Sequence, residues 1–299
     1  MTNTNLDNVL GGLMRRYTQR VPDVQKVIDE MVVAGLIHSA AEIENDHIAF
    51  RTLGVPHLGI QSFEKIFLHL GYRKMEPYFF PAKKLDAYWY APPTEKHPRI
   101  FVSELRVKDL SPATQAIIHR YTNEVTADPV DSIDLNDPTA IDQFLHSGLW
   151  RLPTLEDYLA LNAESEYAAW VIYNRYYLNH FTVSVHNLPT GYNTIAEFNQ
   201  FLEQRGFTLN DAGGKIKTSG DGYLLQSSTV AEMISAVFAA GINYKIPGSY
   251  VEFAERKVLP AYASLGAGEI KRQHRREGFE AANADKIFES TYASQTVKR

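Results

Sequence analysis

Two stretches of the chain share the same order of apolar and polar positions. In the first, residues 46–52 alternate between the two kinds, which is typical of a strand with one buried face, and residues 60–70 carry apolar side chains at helical spacing. Strand-like segments follow at residues 78–80, 85–90 and 100–107. The pattern therefore predicts a β-α-β-β-β module.

The second stretch repeats this order. Residues 180–186 alternate, and Thr194 with Glu197 forms a capping-box pattern at the start of a helix that ends at Gly206. Strand-like segments follow at residues 215–218 and 223–227. A short helix at 230–239 then precedes a last strand at 250–256. Each half begins on a strand with a histidine and ends on a strand with a glutamate. We therefore interpret the halves as a divergent internal repeat.

The polar faces of these strands carry candidate metal ligands. Side chains alternate along a strand, so His47 and Arg51 share one face of the first module, while His180 and Glu252 lie on polar faces of the second. If the two polar faces meet, His47, His180 and Glu252 form a cluster. Two imidazoles and one carboxylate make the facial triad of non-heme Fe(II) oxygenases, and the same ligands also suit Mn(II), Co(II) or Zn(II). Arg51 would then present its guanidinium to a substrate carboxylate.

Other side chains compete for roles in this site. Glu255 replaces Glu252 if the predicted register is wrong by one residue, since such a slip exchanges the two faces. Glu104, interpreted as the inward carboxylate of the first module, is a candidate fourth ligand, or the partner of Arg106 in an ion pair. His186 shares the face of His180 and is a reserve ligand or a group that supports the ligands.

Composition and charge exclude several classes of protein. The chain has 30 Lys and Arg against 35 Asp and Glu, a net charge of −5, so nothing favours a nucleic-acid surface. Cysteine is absent, which excludes disulfides and thiolate metal sites. No apolar run approaches the roughly 18 residues of a membrane span. The first residues lack the pattern of a secretory signal, so we predict a cytoplasmic protein with no membrane partner.

Four motifs and the tail resemble one protein family. They are Asp-His-Ile-Ala-Phe-Arg-Thr at 46–52, Asn-His-Phe-Thr at 179–182, Gly-Tyr-Leu-Leu-Gln-Ser-Ser at 222–228, Tyr-Val-Glu-Phe at 250–253 and the tail segment 277–291. The sequence is similar there to the 2-oxoadipate dioxygenase/decarboxylase family, also called 2-hydroxyglutarate synthase. The resemblance covers most of the chain.

The resemblance implies a fold of vicinal-oxygen-chelate type and an Fe(II) cofactor. It implies conversion of 2-oxoadipate and O2 to 2-hydroxyglutarate and CO2 in lysine breakdown, with the metal on His47, His180 and Glu252 and substrate on Arg51. Gln226 and Ser227 are candidates to orient the substrate, although neighbours on a strand point to opposite faces. The tail is expected either to cover the site as a lid or to pack on the sheet as a helix.

The predicted fold class is α+β, with two β-α-β-β-β modules that form a curved sheet around the metal site. The chain is expected to be a single catalytic domain, 1–299, with N-terminal helices at 1–40, a first module at 44–108, a helical insert at 109–176, a second module at 177–258 and a C-terminal tail helix at 259–299.

Two other functions remain open at this stage. One is a glyoxalase-like, metal-dependent isomerase or lyase of the same fold, with Glu104 as a fourth ligand. The other is a non-catalytic protein that binds a small molecule without metal, because a fold alone does not decide a function.

Overall fold

The computed structural model describes residues 4–299; residues 1–3, the beginning of the segment predicted to be helical at 1–40, lie outside the described residues. The helices are α1 (Thr4–Arg20), α2 (Pro22–Val33), α3 (Ile60–His69), α4 (Pro112–Thr122), α5 (Pro138–His146), α6 (Leu155–Glu164), α7 (Glu166–Asn174), α8 (Ile195–Gln204), α9 (Ala281–Ile287) and α10 (Ala293–Thr296). The strands are β1 (Asn45–Leu53), β2 (Arg73–Phe80), β3 (Leu85–Ala91), β4 (Arg99–Leu105), β5 (His180–Ser184), β6 (Lys217–Thr218), β7 (Leu224–Ser228), β8 (Met233–Val237), β9 (Asn243–Pro247) and β10 (Tyr250–Arg256).

Eight of the strands form one mixed sheet that curls into a half-barrel. The strand order is β2-β3-β4-β1-β5-β10-β7-β6. Strand β1 pairs in parallel with β4, and β5 pairs in parallel with β10, while β1 and β5 meet antiparallel at the centre. The two halves therefore have the same topology, and the predicted α+β class with a curved sheet is confirmed.

The outer face of the sheet packs on one helix in each half. The ring of Phe50 on β1 lies 4.7 Å from that of Phe63 on α3, and the ring of Phe253 on β10 lies 5.2 Å from that of Phe198 on α8. The predicted capping box of Thr194 begins α8 and is confirmed. Burial of these apolar outward faces leaves the polar faces of β1, β5 and β10 on the concave side.

The segment between the two halves contains helices α4 to α7, joined by short turns. The prediction of a short helix around residues 230–239 is wrong. Residues 233–237 form β8, which pairs antiparallel with β9 in a separate hairpin. The sequence pattern that predicted a helix covered only β8. The pairing of β8 with β9 favours a strand there, and that pairing lies outside the pattern.

Terminal segments close the molecule from both sides. The Tyr17 hydroxyl of α1 donates a hydrogen bond to the carbonyl of Tyr250 on β10. Helix α9 lies against β2, β6 and β7, on the concave side of the sheet. Within residues 4–299, no helix is both long and apolar enough to cross a bilayer.

Candidate metal centre

Three predicted ligands meet at the centre of the concave face. His47 on β1, His180 on β5 and Glu252 on β10 are each at least nine-tenths buried. The Nε2 atoms of the two imidazoles are 3.3 Å apart, and the Glu252 oxygens lie 3.4 Å from His47 Nε2 and 3.0 Å from His180 Nε2. These donors come from three adjacent strands, because β5 pairs with both β1 and β10.

This geometry fits a single metal ion. Donor atoms that each lie about 2.1 Å from one ion are roughly 3.0 Å apart at right angles and about 3.4 Å apart at the tetrahedral angle. The shortest separations cover that range, with Glu252 Oε1 nearest His47 and Glu252 Oε2 nearest His180. Among the described residues, His47, His180 and Glu252 are the one group of three metal-binding side chains whose ligand atoms lie within 4.8 Å of one another. The trio is therefore a candidate metal site with ligands on one side of the ion.

Each imidazole is oriented by the residue that precedes it. The Nδ1 atom of His47 lies 2.8 Å from Asp46 Oδ1, and the Nδ1 atom of His180 lies 3.0 Å from Asn179 Oδ1. With a hydrogen on Nδ1 donated to these oxygens, each ring directs its Nε2 at the other ligands, which is the nitrogen available to a metal ion. Such partners fix the tautomer and ring orientation of metal-binding histidines.

A buried charge network supports Asp46. Its Oδ2 accepts hydrogen bonds from Arg256 Nε at 2.6 Å and from Arg99 Nη1 at 3.2 Å, and Arg99 also pairs with Glu277 of the tail. Burial opposes ionisation of Asp46, but the charges of Arg256 and Arg99 outweigh it and hold the pKa of Asp46 well below its usual range. The carboxylate next to His47 is therefore charged at neutral pH.

The carboxylate of the trio is also ionised. Burial opposes ionisation of Glu252, yet the attraction of His47 and His180 outweighs burial and places the pKa of Glu252 well below its usual range. A divalent cation binds carboxylate and neutral imidazole, so metal binding at this trio is expected to displace any proton held by the imidazoles.

Arg51 lies four residues beyond His47 on the same strand face. Its guanidinium is buried and donates to Thr291 Oγ1 and to the Phe288 carbonyl, both at 3.0 Å. The rings of Tyr167 and Trp170 lie 5.2 and 5.1 Å from its central carbon. None of the carboxylates in the described part of the chain lies within ion-pair distance of Arg51, so this buried cation lacks a counter-ion from the protein.

Gln226 and Ser227 lie on opposite faces of β7. Gln226 lines a cavity next to the three candidate ligands, and its Nε2 donates a hydrogen bond to Glu252 Oε1 at 2.6 Å. Ser227 instead donates to Asn199 of α8 on the outer face. Of the two candidates to orient the substrate, the structure therefore leaves Gln226 on the side of the site and places Ser227 away from it, as the alternation of side chains along a strand requires.

Glu104 does not join the three ligands. It lies on the outer face of β4 and accepts a hydrogen bond from the backbone N–H of Ile60, at the start of α3, at 2.7 Å. Glu255 makes the matching contact to Ile195 at the start of α8, at 2.8 Å. Glu104 therefore corresponds to Glu255, which corrects the expectations of an inward carboxylate and of a fourth ligand. Arg106, the other partner expected for Glu104, pairs instead with Asp86 and Asp109.

Phe101 occupies the place in the first half that Glu252 occupies in the second. Glu252 pairs across the parallel ladder with Thr182, two residues after His180. Phe101 pairs in the same way with Ala49, two residues after His47. The repeat therefore keeps the histidine in both halves and the inward carboxylate in one.

His186 also lies away from the cluster. It follows β5 in a short 3₁₀ turn, where its Nδ1 accepts a hydrogen bond from the backbone N–H of Arg256 at 3.2 Å. The chain leaves the strand before residue 186, so the alternation that placed His186 beside His180 no longer applies. The structure therefore does not bring this reserve ligand to the site.

The stability of the protein should depend on pH through His186. Burial, with a smaller contribution from Arg275, lowers the pKa of His186 to about 3, whereas an unfolded histidine titrates at about 6.5. As pH falls below 6.5 the unfolded chain takes up this proton first, so stability is lost. Between pH 7 and pH 5 we expect the free energy of unfolding to fall by about 2 kcal/mol more in the parent than in His186→Gln. Urea titrations at both pH values test this, and equal losses would contradict it.

The tail completes the cavity around the trio. The cavity is small, since the centre of a water-sized molecule can move within only about 20 Å³ of it. Its remaining walls come from β4, β7, β10 and the tail: Phe101, Gln226, Tyr250, Phe279, Ala284, Ile287 and Phe288. The Phe279 ring lies 4.8 Å from that of His47. The tail thus covers the site with a packed helix and apolar rings.

Sequence reasoning missed Asp46, Asn179 and Asn283 as supporting residues. A signal for the first two was present, because an Asp or Asn stands directly before the histidine on both repeated strands. Asn283 lies in the tail and contacts Gln226 across 57 positions of sequence, which no local pattern reveals.

Comparison with known proteins places the chain in a family. The sequence profile of the 2-oxoadipate dioxygenase/decarboxylase family matches residues 9–267. A chloroplastic 2-oxoadipate dioxygenase/decarboxylase of Arabidopsis thaliana is 43% identical over 305 residues, which cover 98% of this chain and 79% of the relative.

Solved structures agree in fold. The hydroxyglutarate synthase of Oryza sativa, crystallised with 2-oxoadipate, superposes with a TM-score of 0.89 at 40% identity, over 99% of this chain and 95% of that chain. A glyoxalase superfamily protein of Ralstonia eutropha JMP134 superposes with a TM-score of 0.69 at 22% identity, over 90% of this chain and 83% of that one, which is a likeness of fold alone.

The plant relatives are chloroplastic, so the comparison gives no support to the predicted cytoplasmic location. The family predicted from the four motifs is confirmed. With its two-histidine, one-glutamate cluster and this similarity over nearly its whole length, the chain belongs to the 2-oxoadipate dioxygenase/decarboxylase family.

Proposed function

We propose that this protein converts 2-oxoadipate and O2 to 2-hydroxyglutarate and CO2, with Fe(II) held by His47, His180 and Glu252. The observation that carries the proposal is the buried trio, whose donor atoms lie 3.0 to 3.4 Å apart in a member of this family. Two imidazoles and a carboxylate on one side of an ion are the ligands of non-heme Fe(II) oxygenases.

The reaction balances without a second substrate. C1 of 2-oxoadipate leaves as CO2, one oxygen atom of O2 enters the new carboxylate, and the other enters the hydroxyl group. All four electrons that O2 accepts come from the organic acid, two on decarboxylation and two on hydroxylation. Bound Fe(II) would supply the place where the 2-oxo acid and O2 meet and the electrons that first activate O2.

The residues of this chain orient the substrate and exclude water. Phe101, Phe279 and Phe288 give the cavity apolar walls, which keep water away from reactive species. Arg51 supplies a buried positive charge without a carboxylate partner, so the distal carboxylate of the substrate is its expected counter-ion.

Arg51→Met should weaken substrate binding while iron is retained. The substitution removes a charge-assisted contact worth about 1.5–3 kcal/mol, which corresponds to a roughly 10–100-fold rise in KM for 2-oxoadipate. The variant should also lose its preference for 2-oxoadipate over 2-oxohexanoate, which lacks the distal carboxylate. Steady-state kinetics with both acids and iron analysis measure this. A variant that still prefers the diacid as strongly as the parent would contradict the role of Arg51.

Oxygen uptake tests the proposed function directly. Protein loaded with Fe(II) without air, then mixed with 2-oxoadipate and ¹⁸O2, should consume one O2 per CO2 released and give 2-hydroxyglutarate labelled at the hydroxyl and in one carboxylate. The metal-free protein, and protein loaded with Zn(II), serve as controls. An iron-replete sample that consumes no O2 with 2-oxoadipate would reject this substrate.

The glyoxalase-like alternative is less well supported. It requires a fourth protein ligand, and its candidate, Glu104, caps α3 on the outer face. Turnover of 2-oxoadipate that continues without O2 would nevertheless favour an isomerase or lyase.

A further inference from the structure

The tail reaches the Glu252 carboxylate through two buried amides. Asn283 of α9 donates from Nδ2 to Gln226 Oε1 at 3.0 Å, and Gln226 Nε2 donates to Glu252 Oε1 at 2.6 Å. All three side chains are at most 3% exposed. The relay therefore joins a helix of the tail to one oxygen of a candidate ligand.

The orientation of both amides is fixed by their surroundings. Asn283 Nδ2 also faces the carbonyls of Lys217 and Leu224, at 3.2 and 3.3 Å, so this end of its side chain must be the donor. The Gln226 oxygen then accepts from Asn283, and its NH2 group is left to face Glu252. A reversed Gln226 would place its oxygen against the Glu252 carboxylate at one end and its NH2 group against the Asn283 NH2 group at the other.

We propose that Asn283 and Gln226 are positioning residues that hold Glu252 as a ligand through one oxygen, so that three coordination positions of the bound ion stay open. The inference rests on the proposed function. Gln226 donates to Oε1, which lies 3.4 Å from His47 Nε2, whereas Oε2 lies 3.0 Å from His180 Nε2 and has no amide donor among the described residues. Two histidines and a monodentate glutamate leave three of six coordination positions, two for the chelating 2-oxo acid and one for O2. A bidentate glutamate would leave two positions, which is one too few.

Nitric oxide binding tests the proposal without turnover. NO replaces O2 on Fe(II) and gives an electron paramagnetic resonance signal, so anaerobic samples saturated with 2-oxoadipate report whether the last position is open. Gln226→Met keeps the side-chain volume and removes the amide. We expect it to bind 2-oxoadipate but to lose NO affinity in its presence by about 10–100-fold, the effect of one hydrogen bond to a charged group.

Variants of Asn283 test the relay. Asn283→Asp keeps the shape and replaces the donor by an acceptor, and Asn283→Ala removes it; both should lower NO affinity in the same direction. The double variant Asn283→Ala/Gln226→Met should match Gln226→Met alone, because residues acting in series do not add. Asn210→Ala is the matched control. It removes tail contacts to Lys286 and Ser290 without touching Gln226, and it should bind NO like the parent.

The outcomes separate this proposal from the proposed function. A parent that binds neither 2-oxoadipate nor NO on Fe(II) would overturn both. A parent that binds both, together with an unchanged Gln226→Met, would overturn the positioning role alone. Effects of Asn283→Asp no larger than that of Asn210→Ala would remove Asn283 from the relay and overturn the proposal as stated. Circular dichroism establishes which variants fold. If a variant of Asn283 does not fold, Gln226→Met still decides whether Glu252 needs the amide of Gln226.

Discussion

His180→Ala is expected to lose both bound iron and oxygen consumption. The substitution removes one of three candidate ligands whose donor atoms lie close enough together to share an ion. Loss of a partner that only supports a ligand costs roughly 10–100-fold in metal affinity, so loss of the ligand itself should cost more than about 100-fold. Iron content after anaerobic loading and gel filtration measures the effect.

A partly buried histidine outside the cluster provides the control for this prediction. His186→Gln removes an imidazole from a position that does not face the three candidate ligands, so it should keep iron and activity at pH 7. Stoichiometric iron in folded His180→Ala would contradict the metal site. Loss of iron from His186→Gln would instead show that any buried imidazole in this region affects loading.

Asp46→Ala should have the largest effect on stability. The substitution leaves the guanidinium groups of Arg99 and Arg256 buried without the carboxylate that lies between them. Removal of one partner of a buried ion pair costs about 3–5 kcal/mol. It also removes the acceptor on His47 Nδ1, so metal affinity should fall about 10–100-fold. Urea unfolding of the metal-free variant and metal titration measure the two effects separately.

Two further variants show which part of Asp46 matters. Asp46→Asn retains an oxygen for His47 Nδ1 but loses the charge, so it should lose stability and keep more of its metal affinity than Asp46→Ala. Glu203→Ala breaks an exposed ion pair with Lys215, which should cost no more than about 1 kcal/mol. An Asp46→Ala protein as stable as Glu203→Ala would show that the buried network does not stabilise the fold.

The sequence predicted which side chains of the central strands face the site, because this depends only on the alternation of side chains along each strand. Alternation on β1 and β5 decides which side chains face inward, and the same place in a repeated strand brings His47 and His180 together. The register of β10 placed Glu252 inward and Glu255 outward, as predicted.

The errors arose where distant contacts decide the structure. Glu104 appeared to match Glu252 because both are glutamates near the end of a module, but its hydrogen bond to Ile60 at the start of a helix places it on the other face. The contacts of Arg51 with Phe288 span 237 positions of sequence, and those of Asn283 with Gln226 span 57. Neither produces a periodic pattern, so these particular contacts of the tail emerged only from the structure.

The phenyl ring of Phe101 bears on how many vacancies the proposed ion keeps, because it stands at the place equivalent to Glu252. A second carboxylate at that place would give the ion a fourth partner and leave only two vacancies, too few for a chelating acid and a gas molecule together. In the proposed oxygenase, the asymmetry between the two halves thus keeps a place for dioxygen.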